Sequence, residues 1–196
     1  MPLPKLSPQT LHAVIDMQRL FAEPYGWQVP DLTAILPNVL RLCHTSGGAT
    51  VYSRFVTPQH PKAATGRWQA LYQTYPQVTG LPPEAFDLVG ELTEIAAQGI
   101  TIDKTTYSLC AVPAFLAHLS RRSTDTVVFS GVETDSCVYA TLIACVDLGL
   151  RVVVAKDAVT SADLAAHDAM LDLLARRLPD QVELASTDEI IAAWHR

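Results

Sequence analysis

Three side chains in this 196-residue chain have the chemical type and setting for covalent hydrolysis: the carboxylate of Asp16, the amine of Lys104 and the thiol of Cys137. Each stands at or just beyond the end of a short apolar run: LHAVID, ITIDK, and TVVFSGV continued by VETDSC. Thr134, Asp135 and Ser136 are residue types that cap helix N-termini, and the CVYATLIACVDLG that follows is helix-compatible. The Cys137 thiol is therefore expected in or beside a first helical turn, where unpaired N–H groups and the helix dipole favour thiolate over thiol. Its other reading is a small buried hydrophobe, the ordinary fate of a free cysteine. Asp16, at the end of a buried strand, needs a partner, because an isolated carboxylate is costly to desolvate. It can accept a thiol proton as general base or cap the segment MQRLF. Lys104 is either a solvated lysine or a cation that stabilises Asp16 and a developing thiolate. Cys43 and Cys145 fall in apolar helical segments and read as packing.

The elements that must position these groups are legible from periodicity. LHAVIDM, ATVYSRF, GITIDK, TVVFSGV, RVVVAKDA and VELAS are strand candidates, and several are apolar on consecutive positions, as strands covered on both faces must be. Between them lie helical stretches near 31–46, 84–98, 113–121, 136–149, 163–177 and 187–195. Gly47-Gly48, Gly99 and Gly149 punctuate the passage into the following strands. The segment 57–83, rich in proline and holding Trp68, Tyr72 and Tyr75, reads as a long excursion with a short helix near 68–75. A repeated strand-helix order implies crossover connections, an α/β class and a mostly parallel sheet with helices on both faces. In such sheets ligands bind beyond the carboxyl ends of the strands, where Asp16, Lys104 and Cys137 would meet.

Composition bounds the rest. A chain that is 49% hydrophobic and 17% charged suits one domain spanning 1–196 with one sizeable core. A net charge of -6 gives no basic footprint for nucleic acid or an anionic membrane surface. No secretion-signal pattern or membrane-length apolar run is present, so a cytoplasmic location is expected. Four cysteines without Cys-x-x-Cys spacing argue for reduced thiols rather than a zinc knuckle or disulfide framework. No glycine-rich nucleotide turn follows any strand, and no cofactor is expected.

Taken together, VIDMQRLF, DKTTYSLC and SGVETDSCV, in that order and widely spaced, resemble the isochorismatase-like cysteine hydrolases, the superfamily of nicotinamidases and N-carbamoylsarcosine amidohydrolases. The likeness covers nearly the whole chain and implies a three-layer, doubly wound, six-stranded Rossmann-like sheet. It implies a triad in which Asp16 takes the Cys137 proton and Lys104 supports the charged pair. It also implies a cis peptide at Val132-Glu133 that turns the backbone N–H groups of Glu133 and Cys137 toward the substrate as an oxyanion hole, and assembly into dimers or tetramers. Nicotinamidases carry a metal-binding Asp-x-His after the second strand, whereas VYSRFVTPQHP places Ser53, Arg54 and Phe55 there. No metal is expected, and His60 reads as a loop histidine. Arg54 is either a crevice-facing group for a carboxylate or carbonyl, or a surface charge. Phe21, Trp68 and Tyr107 are candidate pocket walls, and Cys110 stands where relatives often have an aromatic. The expected activity is metal-independent hydrolysis of a small amide or ureido C–N bond. A vinyl-ether hydrolase and a non-catalytic binding protein are the alternatives: Cys137 counts against the first and the intact trio against the second.

Overall fold

In the computed structural model, which describes residues 3–194, all six apolar runs become strands of one sheet. The strands are β1 (Thr10–Ile15), β2 (Thr50–Phe55), β3 (Ile100–Lys104), β4 (Thr126–Val132), β5 (Arg151–Thr160) and β6 (Val182–Ala185). Their order is β3-β2-β1-β4-β5-β6, and every neighbouring pair is parallel, so the sheet is wholly rather than mostly parallel. The helices are α1 (Arg19–Ala22), α2 (Leu32–Ser46), α3 (Arg67–Thr74), α4 (Leu92–Ile95), α5 (Pro113–Arg121), α6 (Tyr139–Asp147), α7 (Leu164–Arg177) and α8 (Thr187–Trp194). From the centre the chain winds outward toward β3 in its first half and toward β6 in its second. Right-handed crossovers of opposite direction put helices on opposite faces. Accordingly α2 packs on β1, β4 and β5 with α8 beside it, while α6 and α7 cover β5 and β6. No helix among the described residues is long and apolar enough to cross a membrane.

The order reverses between β1 and β4, the two strands buried at every position. That reversal opens the crevice in which doubly wound sheets hold ligands. Two elements differ from the periodicity. The stretch 84–98 is not one helix but a 3-10 turn at Pro83–Phe86, the single turn α4 and a second 3-10 turn at Ala96–Gln98. Gly90, at a left-handed φ of 51°, breaks it. The helix after β4 begins regularly only at Tyr139, because Thr134–Val138 winds as a wider π turn closed by Val138 N–H donating to the Glu133 carbonyl at 3.0 Å.

One polar residue sits in the middle of β1. His12 is fully buried, with Nε2 at 2.8 Å from Ser130 Oγ and Nδ1 at 3.4 Å from Ser46 Oγ. Burial pushes its pKa from 6.5 down to about 3, so the folded protein holds a neutral imidazole. The unfolded chain binds a proton below pH 6.5 and the folded chain does not, so stability falls as pH drops through that window. Urea denaturation between pH 7 and 3.5 is expected to show a loss of roughly 4 kcal/mol from this group. The acid slope should flatten in His12→Gln; an unchanged slope there would assign it to other groups.

Candidate active site

The ends of β1 and β4 approach each other unusually closely. Gly131 adopts a φ of 106°, and a Cβ there would lie 2.0 Å from the Ile15 carbonyl oxygen, so only glycine admits this contact. The residue after β1, Asp16, turns into the left-handed region at φ 50°, which non-glycine residues adopt where their surroundings hold them. Ser53 on β2 supplies part of that hold. The Asp16 N–H donates to Ser53 Oγ at 3.2 Å, and the Ser53 hydroxyl donates back to Asp16 Oδ1 at 2.6 Å. The other carboxylate oxygen, Oδ2, accepts from Lys104 Nζ at 2.7 Å, with both side chains fully buried. Nζ also donates to Cys137 Sγ at 3.2 Å and to the Thr106 carbonyl at 3.3 Å, matching all three ammonium protons with acceptors. The Phe55 ring lies 4.7 Å from Nζ, in cation-π contact. Residues 16, 104 and 137, delivered by three strands, thus share one cluster.

Asp16 and Lys104 together are neutral, and this decides the state of the thiol. Burial pushes Cys137 well above its ordinary range; the carboxylate of Asp16, its hydrogen-bond partner, adds to the rise, and the Lys104 charge only partly offsets it. For Lys104, burial acts to lower the pKa, but the charges of Asp16 and Cys137 outweigh it and the amine stays cationic. The expectation of a resting thiolate favoured by a helix N-terminus is therefore corrected. A thiolate would bring a net negative charge into a buried cluster, whereas a protonated thiol facing a carboxylate keeps the cluster neutral. The arrangement can pass the proton to Asp16 as the sulfur attacks an electrophile.

Above the cluster lies a cavity of about 260 Å³. Its walls include Phe21, Trp27, Phe55, Trp68 and Tyr107, and its floor Glu133, Ser136 and Cys137. Tyr107 packs on Trp68 at 4.8 Å between ring centroids, and Trp27 lies 6.5 Å from Phe21 and 5.9 Å from Phe55. The Val132-Glu133 peptide is cis. The turn after it is tied to the segment beyond β5: the Ser161 hydroxyl donates to Asp135 Oδ1 at 2.6 Å, and the Ala162 N–H donates to Glu133 Oε1 at 3.0 Å. Thr134 Oγ1 pairs with His167 Nδ1 at 2.8 Å.

The isochorismatase domain model matches residues 10–189. The chain belongs to the isochorismatase family. Its fold is similar to that of a cysteine hydrolase from Pseudomonas syringae pv. phaseolicola, at 21% identity and a TM-score of 0.84 over 98% of this chain and 96% of that one. An isochorismatase family protein from Desulfovibrio vulgaris gives 19% identity, a TM-score of 0.80 and coverage of 97% and 100%. A nicotinamidase from Bacillus subtilis gives 20%, 0.70, and 89% and 99%. At these identities the likeness speaks for the fold. No curated protein matches the chain.

Within this family member, Arg54 does not line the cavity. Its guanidinium forms a two-pronged pair with Asp103, at 2.7 and 2.9 Å. The reason is strand alternation: Ser53 and Phe55 point to the cluster, so Arg54 between them points to the other face, where register pairs it with Asp103. The same alternation places Lys104 beside Phe55. Phe21, Trp68 and Tyr107 do line the cavity. Sequence reasoning passed over Ser53, Phe55, Trp27 and Gln18. Fully buried Gln18 accepts from the Phe55 N–H at 2.6 Å and donates to the Phe55 and Phe86 carbonyls, fixing β2 to the loop before α4. The alternation of β2 puts Ser53 and Phe55 on one face and Arg54 on the other, but only the register of β2 with β1 and β3 shows which face meets Asp16 and Lys104. The position where nicotinamidases hold a metal does not fit one here: the Ser53 hydroxyl is committed to Asp16, Arg54 is cationic and Phe55 is apolar, while His60 is exposed on the following loop.

Two outcomes follow from the charge balance. Lys104→Met leaves the Asp16 carboxylate buried without its cation, and urea denaturation should register a loss of about 3–5 kcal/mol, largely recovered in the double variant with Asp16→Asn. Iodoacetamide should alkylate Cys137 of the free protein at a rate that still climbs above pH 9; a plateau below pH 8 would show a resting thiolate instead.

Proposed function

We propose that this protein is a cysteine hydrolase that cleaves the C–N bond of a small, uncharged amide or ureido compound bearing a flat or apolar group. The observation that carries the reading is the single ammonium of Lys104 donating to both Asp16 and Cys137 beneath an aromatic-walled cavity. As the Cys137 sulfur attacks the carbonyl carbon, its proton passes to Asp16. Lys104 remains protonated and keeps the neighbouring carboxylate and sulfur compatible with burial. The tetrahedral oxyanion is held by the backbone N–H groups of Glu133 and Cys137, and a donor of this kind is typically worth about 3 kcal/mol of transition-state stabilisation. Asp16 returns its proton to the leaving nitrogen as the C–N bond breaks, releasing ammonia or an amine and leaving a thioester on Cys137. Water, deprotonated by Asp16, attacks the thioester and frees the acid and the thiol.

The lining supports the choice of an uncharged substrate. No lysine, arginine or histidine is among the residues around the cavity, while the Glu133 carboxyl is. Lys104 lies below the surface with its donors taken. An anionic substrate would meet a carboxyl and no free cation, which disfavours isochorismate, a dicarboxylate, and carbamoyl amino acids. Aromatic walls offer stacking to a flat acyl or leaving group.

The test is to incubate wild type and Cys137→Ala with a panel of neutral aromatic carboxamides, ureido compounds and anionic carbamoyl amino acids, following ammonia and intact protein mass. Wild type should turn over a neutral member and carry its acyl group on Cys137. Cys137→Ala should lose about 1,000-fold or more in kcat with no adduct. Turnover retained in that variant would end the covalent route, and a preference for anionic substrates would overturn the substrate class.

A further inference from the structure

The mechanism above leaves a second pair of thiols unused. Cys110 lies in a 3-10 turn at Leu109–Ala111, and Cys145 lies in the body of α6, 35 positions later; their sulfurs are 3.7 Å apart. Neither lines the aromatic cavity. Cys145 is fully buried and Cys110 is partly exposed, so one sulfur of the pair can meet a reagent from solution while the other is shielded from it.

The geometry points to a modification site: we propose that Cys110 and Cys145 form a reversible disulfide by exchange with low-molecular-weight disulfides. The sulfurs need to close by less than about 2 Å to reach bonding distance. The backbone on both sides is already registered: the Leu109 N–H donates to Thr141 Oγ1 at 3.0 Å, the Thr141 hydroxyl donates to the Cys137 carbonyl at 2.7 Å, and Cys110 Sγ lies 3.9 Å from the Thr141 carbonyl. Hydrogen bonding from Cys145 lowers the pKa of Cys110, against the opposing effect of burial, while the same contact, with burial, raises that of Cys145. The difference in exposure assigns the roles. Cys110, as thiolate, attacks one sulfur of the reagent, forms the mixed disulfide and expels the first thiolate. Cys145 gives up its proton, attacks the Cys110 sulfur and expels the second. The protein thiols lose two electrons and two protons, and the reagent disulfide is reduced to two thiols.

The bond would join the two segments that build the site. Cys110 follows Thr106, whose carbonyl accepts from Lys104, and Tyr107, which walls the cavity. Cys145 lies two helical turns beyond the Cys137 segment. The disulfide would therefore clamp the lysine loop to the nucleophile helix.

Oxidised and reduced glutathione are the probes, applied to wild type and to Cys137→Ala, which removes the thiol of the aromatic cavity. Both proteins should lose about 2 Da in mass with a linked Cys110–Cys145 peptide, reversibly under dithiothreitol. The thermal midpoint of the oxidised form should rise by about 8–15 °C, as closing a loop of this length predicts. Cys145→Ala should stall with glutathione on Cys110, and Cys110→Ala should leave Cys145 unmodified. The proposal is overturned if both thiols stay free under oxidation, if the linked pair includes Cys43 or Cys137, or if the oxidised form melts below the reduced one.

Discussion

A buried ammonium bonded to a buried carboxylate governs this molecule. Neither Lys104 nor Asp16 is tolerable alone in an interior without water, and together they form a neutral pair whose remaining hydrogen-bonding capacity is met by Ser53, Thr106, Cys137 and the face of Phe55. These groups come from four stretches of chain: the residue after β1, β2, the end of β3 with the loop after it, and the turn after β4. The pair thus requires central β1 and edge strand β3, with β2 between them, to end at the same level, and the parallel sheet provides that, its reversal between β1 and β4 opening the crevice alongside. Gly131 allows the last step of the approach by presenting bare backbone to Ile15.

The same neutrality governs reactivity. The thiol in the resting site keeps its proton because ionising it would leave an excess negative charge in a buried cluster. Under the proposed mechanism Asp16 is the adjacent acceptor for that proton, with Lys104 bonded to both groups. In that mechanism the nucleophile is generated when an electrophile is present to receive it. Uninvited reagents meet a thiol, and the cavity shields it further with a wall of aromatic rings.

Those rings come largely from segments that are not strands. Trp27 precedes α2, Trp68 begins α3 within the proline-rich excursion, and Tyr107 sits in the loop after β3. The buried cluster and its cover are thus built by different means: the first by strand ends whose register is held by backbone hydrogen bonds, the second by side-chain packing across loops. The charge character follows from this division, since the loops contribute rings and Glu133 contributes a carboxyl, while the arginine of β2 is turned outward.

The strands, the order of elements and the candidacy of Asp16, Lys104 and Cys137 were legible in the sequence by itself, because burial on both faces writes unbroken apolar runs and polar residues at their ends stand out against them. Only the tertiary structure decided the partners of those residues and their protonation. The outward direction of Arg54, the inward direction of Ser53, the π turn before α6 and the pairing of Cys110 with Cys145 depend on pleat direction, strand register and loop path. The thiol's state depends on the sum of charges brought together from positions 16, 104 and 137. A local segment records its own periodicity, but a field made by distant residues exists only once the chain has folded.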